Sequence, residues 1–305
     1  MLVHSLKILK KARKNKYAVP AFNINNLEIL KSIVEAGIKM KSPLIIQTSE
    51  GAIKYAGIDY LIAMVRVAAK AKIPIALHLD HGKDMKIIKE CIKKGYTSIM
   101  FDGSSLPYKE NIKKTQQVVR WAKAKNITVE AELGPIAGIE DFVSVADKDA
   151  HLTNPEQAQE FVKLTKCDTL AIAIGTKHGA YKFKGDSHLD IERLKKIAKL
   201  VPNPLVLHGA SGVVEDAVKI AEYHGAKLGQ ARGVLDKDIK KAIRYGISKV
   251  NIDTDLRLSF TAGIREAIDE MPSVFDPRKL LEPAMLFMQD TAIKKIILFK
   301  SEGKA

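Results

Sequence analysis

Cysteine is scarce. Cys91 and Cys167 are the only two in 305 residues, and their separation matches no metal-binding motif. We expect reduced thiols in a reducing compartment, which points to the cytoplasm. Aromatic residues are also thin, at 6% with a single Trp, so the interleaving of basic and aromatic side chains that marks a nucleic-acid face is missing. No apolar run is long enough to cross a membrane, and the start, Met1-Leu-Val-His-Ser-Leu-Lys, has no apolar core of signal-peptide length. A membrane is therefore not expected as a partner. No Pro- or Gly-rich linker interrupts the chain, so residues 1–305 are expected to form a single domain. Acidic residues are outnumbered 50 to 35 by Lys and Arg, leaving a net charge of +15. The lysines are scattered over what read as helix faces and do not gather in one stripe, which favours a solvated surface that attracts anionic substrates. Nucleic-acid or host-surface binding through this basic exterior is the alternative of a different class.

The chain does have a regular alternation of apolar runs and amphipathic segments. Strands are expected at about 17–23, 43–48, 74–80, 98–102, 128–133, 169–175, 204–208 and 249–253. Helices follow at about 26–40, 59–71, 83–94, 108–125, 155–166, 190–200, 215–224 and 255–270. Eight strand–helix pairs in roughly 250 residues fit an α/β fold of the (β/α)8 TIM-barrel type. A doubly wound open sheet would want a Gly-rich loop after its first strand, and Asn23-Ile24-Asn25-Asn26 is not one. Leu2, Leu6 and Leu9 suggest an N-terminal helix. Asp276-Pro277 opens an extra C-terminal helix running to Leu298. Two connections are long. Gly134 to Asn154 reads as a mobile lid over the mouth of the barrel, and Val213 to Asp236, with a helix and a hairpin-like tail, reads as a surface elaboration or subunit contact before a second helix at 237–245.

The chemistry concentrates where apolar runs end. Ile73-Pro-Ile-Ala-Leu77 stops at His78-Leu-Asp-His-Gly82, and two further runs finish in His178-Gly179 and His208-Gly209. Three imidazoles at three strand ends match the His₃ set of a catalytic zinc, which leaves a coordination position open. Strand alternation puts His78 and Asp80 on one face while His81 turns into the loop, so the spacing leaves open which of the two histidines ligates. Residues at the C-terminal strand ends of a barrel converge on one site. That adds Asn23, Gln47, Ser49, Asp102, Glu130, Glu132, Asn251 and Asp253. The loops after strands seven and eight, Gly209-Ala-Ser211-Gly212 and Asn251-Ile-Asp253-Thr254, are where barrels hold a phosphate. Arg257 and Arg278 are guanidinium candidates for a second one.

These blocks, together with Glu130-Ala-Glu-Leu-Gly134, Gly138-Ile-Glu-Asp141, Ala173-Ile-Gly-Thr-Lys-His-Gly179 and Lys249-Val-Asn-Ile-Asp-Thr-Asp-Leu-Arg257, resemble the class II, metal-dependent fructose-bisphosphate aldolases in order and context from Tyr17 to about Leu281. The resemblance implies reversible cleavage of fructose 1,6-bisphosphate, with Zn2+ held by His81, His178 and His208. It also implies that Asp80 moves the C4 hydroxyl proton, that Glu140 in the lid moves the proton on the ketose-phosphate carbon, and that Glu132 orients a ligand imidazole from behind. Gly179, Gly209, Ser211, Asn251, Asp253 and Thr254 match the ketose-phosphate site, where many members also hold a monovalent cation, Na+ or K+. Ser49 and Asp102 match substrate-side positions, and Arg278 a residue reaching a neighbouring subunit's second phosphate, in a homodimer or homotetramer. The lid departs from the family pattern: Ala137-Gly138 stands where Gly-Gly is usual. The block at 251–257 resembles fructose-type members more than tagatose-type ones, the nearest alternative. A Schiff-base route through Lys177 is the mechanistic rival, but it needs no histidine cluster.

Overall fold

Each barrel strand is a short run buried on both faces, as a parallel sheet covered by helices requires. The strands are β1 (Val19–Asn23), β2 (Leu44–Thr48), β3 (Ile75–Gly82), β4 (Ser98–Phe101), β5 (Thr128–Leu133), β8 (Thr169–Ile172), β9 (Leu205–Leu207) and β10 (Ile247–Ile252). A separate antiparallel hairpin, β6 (Gly138–Glu140) and β7 (Val143–Val145), follows β5. The structure is a computed structural model that describes residues 2–136, 151–177, 188–228 and 233–305, and the backbone alone at 138–140 and 143–145. The eight barrel strands close in the order β1-β10-β9-β8-β5-β4-β3-β2.

The helices are α1 (Ser5–Asn15), α2 (Leu27–Lys39), α3 (Glu50–Ala56), α4 (Ile58–Ala68), α5 (Met85–Lys94), α6 (Tyr108–Lys123), α7 (Pro155–Thr165), α8 (Ile191–Leu200), α9 (Glu215–Tyr223), α10 (Asp236–Arg244), α11 (Thr254–Glu270) and α12 (Pro277–Leu298). Side chains of Asn26, Ser49, Asp84, Asn154, Asp190 and Asp276 accept from the first-turn N–H groups of α2, α3, α5, α7, α8 and α12. Those caps set where the chain leaves the barrel rim and enters each helix.

The N-terminal segment closes the floor. Val3 N–H donates to Ile75 O at 2.8 Å, Leu6 N–H to Thr128 Oγ1 at 3.2 Å, and the Ser5 and Ser98 hydroxyls bond at 2.9 Å. Ile75, Ser98 and Thr128 are the first residues of β3, β4 and β5, so the site-bearing mouth lies at the opposite end. The predicted N-terminal face is corrected in part: α1 buries Ser5, Ile8, Leu9 and Ala12, while Leu2 forms a bridge with Ile75 before the helix begins. The short helix α3 was not foreseen, because its seven residues fall inside what the pattern reads as a loop. The expected lid holds the β6–β7 hairpin, and its residues 137, 141–142 and 146–150 lie outside the described residues. The 213–236 stretch contains α9, and its tail lies partly outside them, at 229–232.

The last helix packs along α2 and α11. At the α11–α12 crossing, a Cβ on Gly263 would sit 2.4 Å from the Ala284 backbone. Gly263→Ala forces the helices apart, and overpacking of this kind costs about 1–3 kcal/mol. A melt followed by circular dichroism should show Tm lowered by a few degrees.

Candidate active site

Strand β3 makes the decisive local choice. Its register with β4 shifts between Leu79 and Gly82, and His81 adopts φ +45°, in the left-handed region. Regular alternation would send Asp80 and His81 to opposite faces, whereas the bulge turns both toward one place. Ligand atoms of Asp80, His81 and His208 all lie within 4.8 Å of one another. Gly82 follows because nothing larger fits: a Cβ there would lie 2.7 Å from the Met100 carbonyl oxygen.

Two imidazoles meet nearly perpendicular at the mouth, with His81 Nε2 and His208 Nδ1 2.8 Å apart. Each has its other nitrogen on a carboxylate: His81 Nδ1 bonds Asp102 Oδ2 at 3.0 Å, and His208 Nε2 bonds Glu130 Oε1 at 2.8 Å. A carboxylate behind each imidazole fixes its orientation and raises its basicity, the usual arrangement around a ligated metal. Lys249, fully buried in the barrel, donates to both oxygens of Glu130 at 3.1 and 3.0 Å. His78 is not part of this pair. Its Nδ1 bonds Ser98 Oγ at 2.7 Å and its Nε2 lies 3.3 Å from Lys249 Nζ, deeper in the barrel.

Charges follow from this packing. Burial alone would push His81 down, but the Asp80 and Asp102 carboxylates outweigh it and hold the imidazole well above its ordinary value. Burial, then the Lys249 ammonium, push His78 down to about 3. Burial and the charge of His81 lower His208. Glu130 is kept well below the carboxylate range because Lys249 overcomes the effect of burial. Glu132 moves the other way, raised by burial and by the neighbouring Asp102.

Asp80 is oriented by three amides. Its Oδ2 accepts from Asn23 Nδ2 at 3.0 Å and Gln47 Nε2 at 3.2 Å, and its Oδ1 from Asn251 Nδ2 at 2.9 Å. Asn23, Gln47 and Asn251 end or nearly end β1, β2 and β10, which are neighbours in the barrel. Several acceptors nearby have no hydrogen-bond partner among the described residues: Gln47 Oε1, Glu132 Oε2, Thr176 Oγ1 and Asn251 Oδ1. Glu132 Oε2 lies 4.0 Å from both His81 Nδ1 and His208 Nδ1. Buried oxygens left without donors, beside two carboxylate-backed imidazoles, fit a divalent cation.

The structure brings His81, His208, Asp80, Asp102, Glu132 and Asn251 together. The carboxylates hydrogen-bonded to the two imidazoles are Asp102 and Glu130, while Glu132, expected behind a ligand imidazole, has its Oε2 4.0 Å from each ring. His178 and Gly179 lie outside the described residues. Glu140 is described only as backbone on β6. Gly209 (φ +61°) packs against Lys177, its would-be Cβ 2.7 Å from the Lys177 carbonyl oxygen. The loops after β8 and β9 are thereby pressed together. Ser211 Oγ accepts from Asp253 N–H at 3.4 Å, Thr254 starts α11, and Asp253 takes Arg257 Nε at 2.9 Å. Arg257 lines a cleft of about 530 Å³ with Asn25, Asn26, Tyr55 and neighbours, on the side of Ser49. Arg278 is 89% exposed and paired with Asp276. Sequence reasoning left the roles of Asn23, Gln47, Glu130 and Lys249 unassigned. The available signal for Lys249 was a lysine inside Ile247-Ser-Lys-Val-Asn-Ile252, where both faces of the strand are buried and a charge must be paired.

Residues 3–304 match the family described as fructose-bisphosphate aldolase class-II. The chain belongs to that family. It is 49% identical over 305 residues to a fructose-bisphosphate aldolase of Thermus caldophilus, covering 100% of both chains. It is 46% identical over 306 residues to that of Helicobacter pylori strain J99, again covering 100% of each. Among solved structures, the YdjI aldolase of Escherichia coli K12 superimposes with a TM-score of 0.80 at 33% identity, covering 100% of both chains. Class-II aldolases use a metal, typically zinc, and the His/Asp/Glu groups at this mouth suit one. Among the described residues no helix is long and apolar enough to cross a membrane.

The buried ion pair should couple strongly to the metal site. Lys249→Met leaves the Glu130 charge uncompensated, at a cost of about 3–5 kcal/mol. Adding Glu130→Gln should recover part of the lost Tm. Glu130→Gln alone should weaken zinc binding about 10–100-fold, as loss of a carboxylate behind a ligand histidine does. Thermal melts of the single and double variants, with zinc titrations, read both effects.

Proposed function

We propose that the chain catalyses the reversible aldol cleavage of fructose 1,6-bisphosphate to dihydroxyacetone phosphate and glyceraldehyde 3-phosphate, with zinc held by His81, His178 and His208. The observation that carries this reading is the pair of carboxylate-backed imidazoles beside Asp80 at the barrel mouth. Bound there, a divalent ion supplies Lewis-acid polarisation of the ketose carbonyl. Asp80 takes the C4 hydroxyl proton during cleavage and returns it during condensation. The amides of Asn23, Gln47 and Asn251 hold it in one orientation for that transfer. Glu140, on the hairpin after β5, exchanges the proton on the ketose-phosphate carbon.

The ketose phosphate is bound by Gly179, Gly209, Ser211, Asn251, Asp253 and Thr254, where α11 begins without a side-chain cap and its N-terminus favours an anion. Carbonyls of the same loops hold a monovalent cation, Na+ or K+. Ser49 lies toward the substrate. Arg257 contributes to the second phosphate site, and Arg278, exposed at the start of α12, reaches that of a neighbouring subunit in a homodimer or homotetramer. Asp102 acts through His81, as their 3.0 Å bond supports. The block Asn251 to Arg257 favours fructose over tagatose 1,6-bisphosphate, and the setting is the cytoplasm.

Cleavage assays on purified protein should lose activity in EDTA, regain it with zinc, ignore borohydride and run faster on fructose than on tagatose 1,6-bisphosphate. Asp80→Asn should lower kcat about 10²–10⁴-fold. Activity that survives EDTA and dies with borohydride would instead assign a lysine imine, with Lys177 the residue to test. No cleavage of either sugar overturns the aldolase reading.

A further inference from the structure

On the outside of the barrel, α9 and α11 pack through a small apolar cluster that includes Ala217, Ala221, Leu258 and Ala262. At the end of α9, His224 turns its ring onto α11, and its side chain is only 4% exposed. Its Nδ1 is 2.7 Å from Asp269 Oδ2, and Arg265 Nη1 donates to its backbone carbonyl at 3.2 Å. Glu266, Asp269 and Glu270 stand at helical spacings of three and four, so one face of α11 presents three carboxylates to one imidazole. A ring nitrogen of His224 and one carboxylate oxygen each from Glu266 and Glu270 lie within 4.8 Å of one another. Among the described residues no hydrogen bond to Nε2 is found. The Asp269 contact occupies Nδ1, so Nε2 is the ring nitrogen left to meet a ligand.

This geometry points to a second divalent-cation site, separate from the barrel mouth, with His224 Nε2, Glu266 and Glu270 as ligands and Asp269 as the carboxylate behind the imidazole. Nitrogen plus two carboxylates selects a zinc-type ion over magnesium, which prefers oxygen alone. Three carboxylates against one imidazole and Arg265 leave the face locally negative on a chain of net charge +15. A bound ion ties α9 to α11. Because α9 follows the Gly209–Gly212 loop and α11 follows Asp253, the tie braces both segments that lead out of the mouth. The proposal stands independently of the catalytic reading, since none of its ligands lies in the barrel.

The test is equilibrium dialysis of the full chain against zinc chloride, with metal analysis of wild type, His224→Gln and Glu270→Gln. Glu270 is exposed, so its substitution leaves the fold untouched if His224→Gln proves unstable. Each variant should bind one zinc per chain fewer than wild type, whatever number the mouth holds. Asp269→Asn should retain that equivalent about 10–100-fold more weakly. Zinc added beyond the mouth's equivalent should raise the Tm of wild type and leave both variants unmoved. Equal stoichiometry in wild type and Glu270→Gln, or an equal Tm rise in all, overturns the site: His224 is then an ion-pair partner of Asp269 and nothing more.

Discussion

The arrangement of the mouth depends on one buried ion pair. Lys249 and Glu130 sit inside a closed barrel, each with a side chain only 1% exposed, and bond through both carboxylate oxygens. Barrel interiors are ordinarily filled by apolar layers, and a buried ion pair contributes little net stability because desolvation offsets the attraction. Its value here is positional. Glu130 turns one oxygen to His208, Lys249 also meets His78, and His78 is held by Ser98. A polar layer therefore spans the barrel beneath the mouth, and His208 stands on it in a fixed orientation.

The two ends of the barrel divide the work. The floor is closed by α1 and by bonds to the first residues of β3, β4 and β5, so that end is sealed. The mouth combines the shifted register of β3, the left-handed His81 and the tightly packed Gly82 and Gly209. A left-handed non-glycine residue costs of order 1–3 kcal/mol, and it persists where the surroundings over-determine it. Here the Asp102 bond and the facing His208 do so, and the return is two ligand-type groups from adjacent positions on one strand.

Much of this was legible in the sequence because a parallel barrel writes itself as apolar runs ending in polar residues. His81, His208, Asp80 and Asn251 could be found by asking what an apolar run ends in. The choice between His78 and His81 could not be made from alternation, since the bulge that decides it depends on pairing with β4. Glu130 and Glu132 share one face of β5, so spacing alone cannot tell which one bonds an imidazole; Lys249 makes that choice from β10, more than a hundred residues away. Leu2 misled because a leucine one turn before Leu6 looks helical until Ile75 offers it a strand to pair with. The His224 cluster escaped notice for a similar reason: α9 and α11 meet only in three dimensions.

The central claim is that imidazoles held by buried carboxylates form the metal-binding mouth of this class-II aldolase. The most direct measurement is X-ray absorption at the zinc edge on protein loaded with a single equivalent. The account requires a shell of three imidazole nitrogens at about 2.0–2.1 Å, with one lost in His208→Ala. A shell of oxygens alone, or a spectrum identical in His208→Ala, would contradict it.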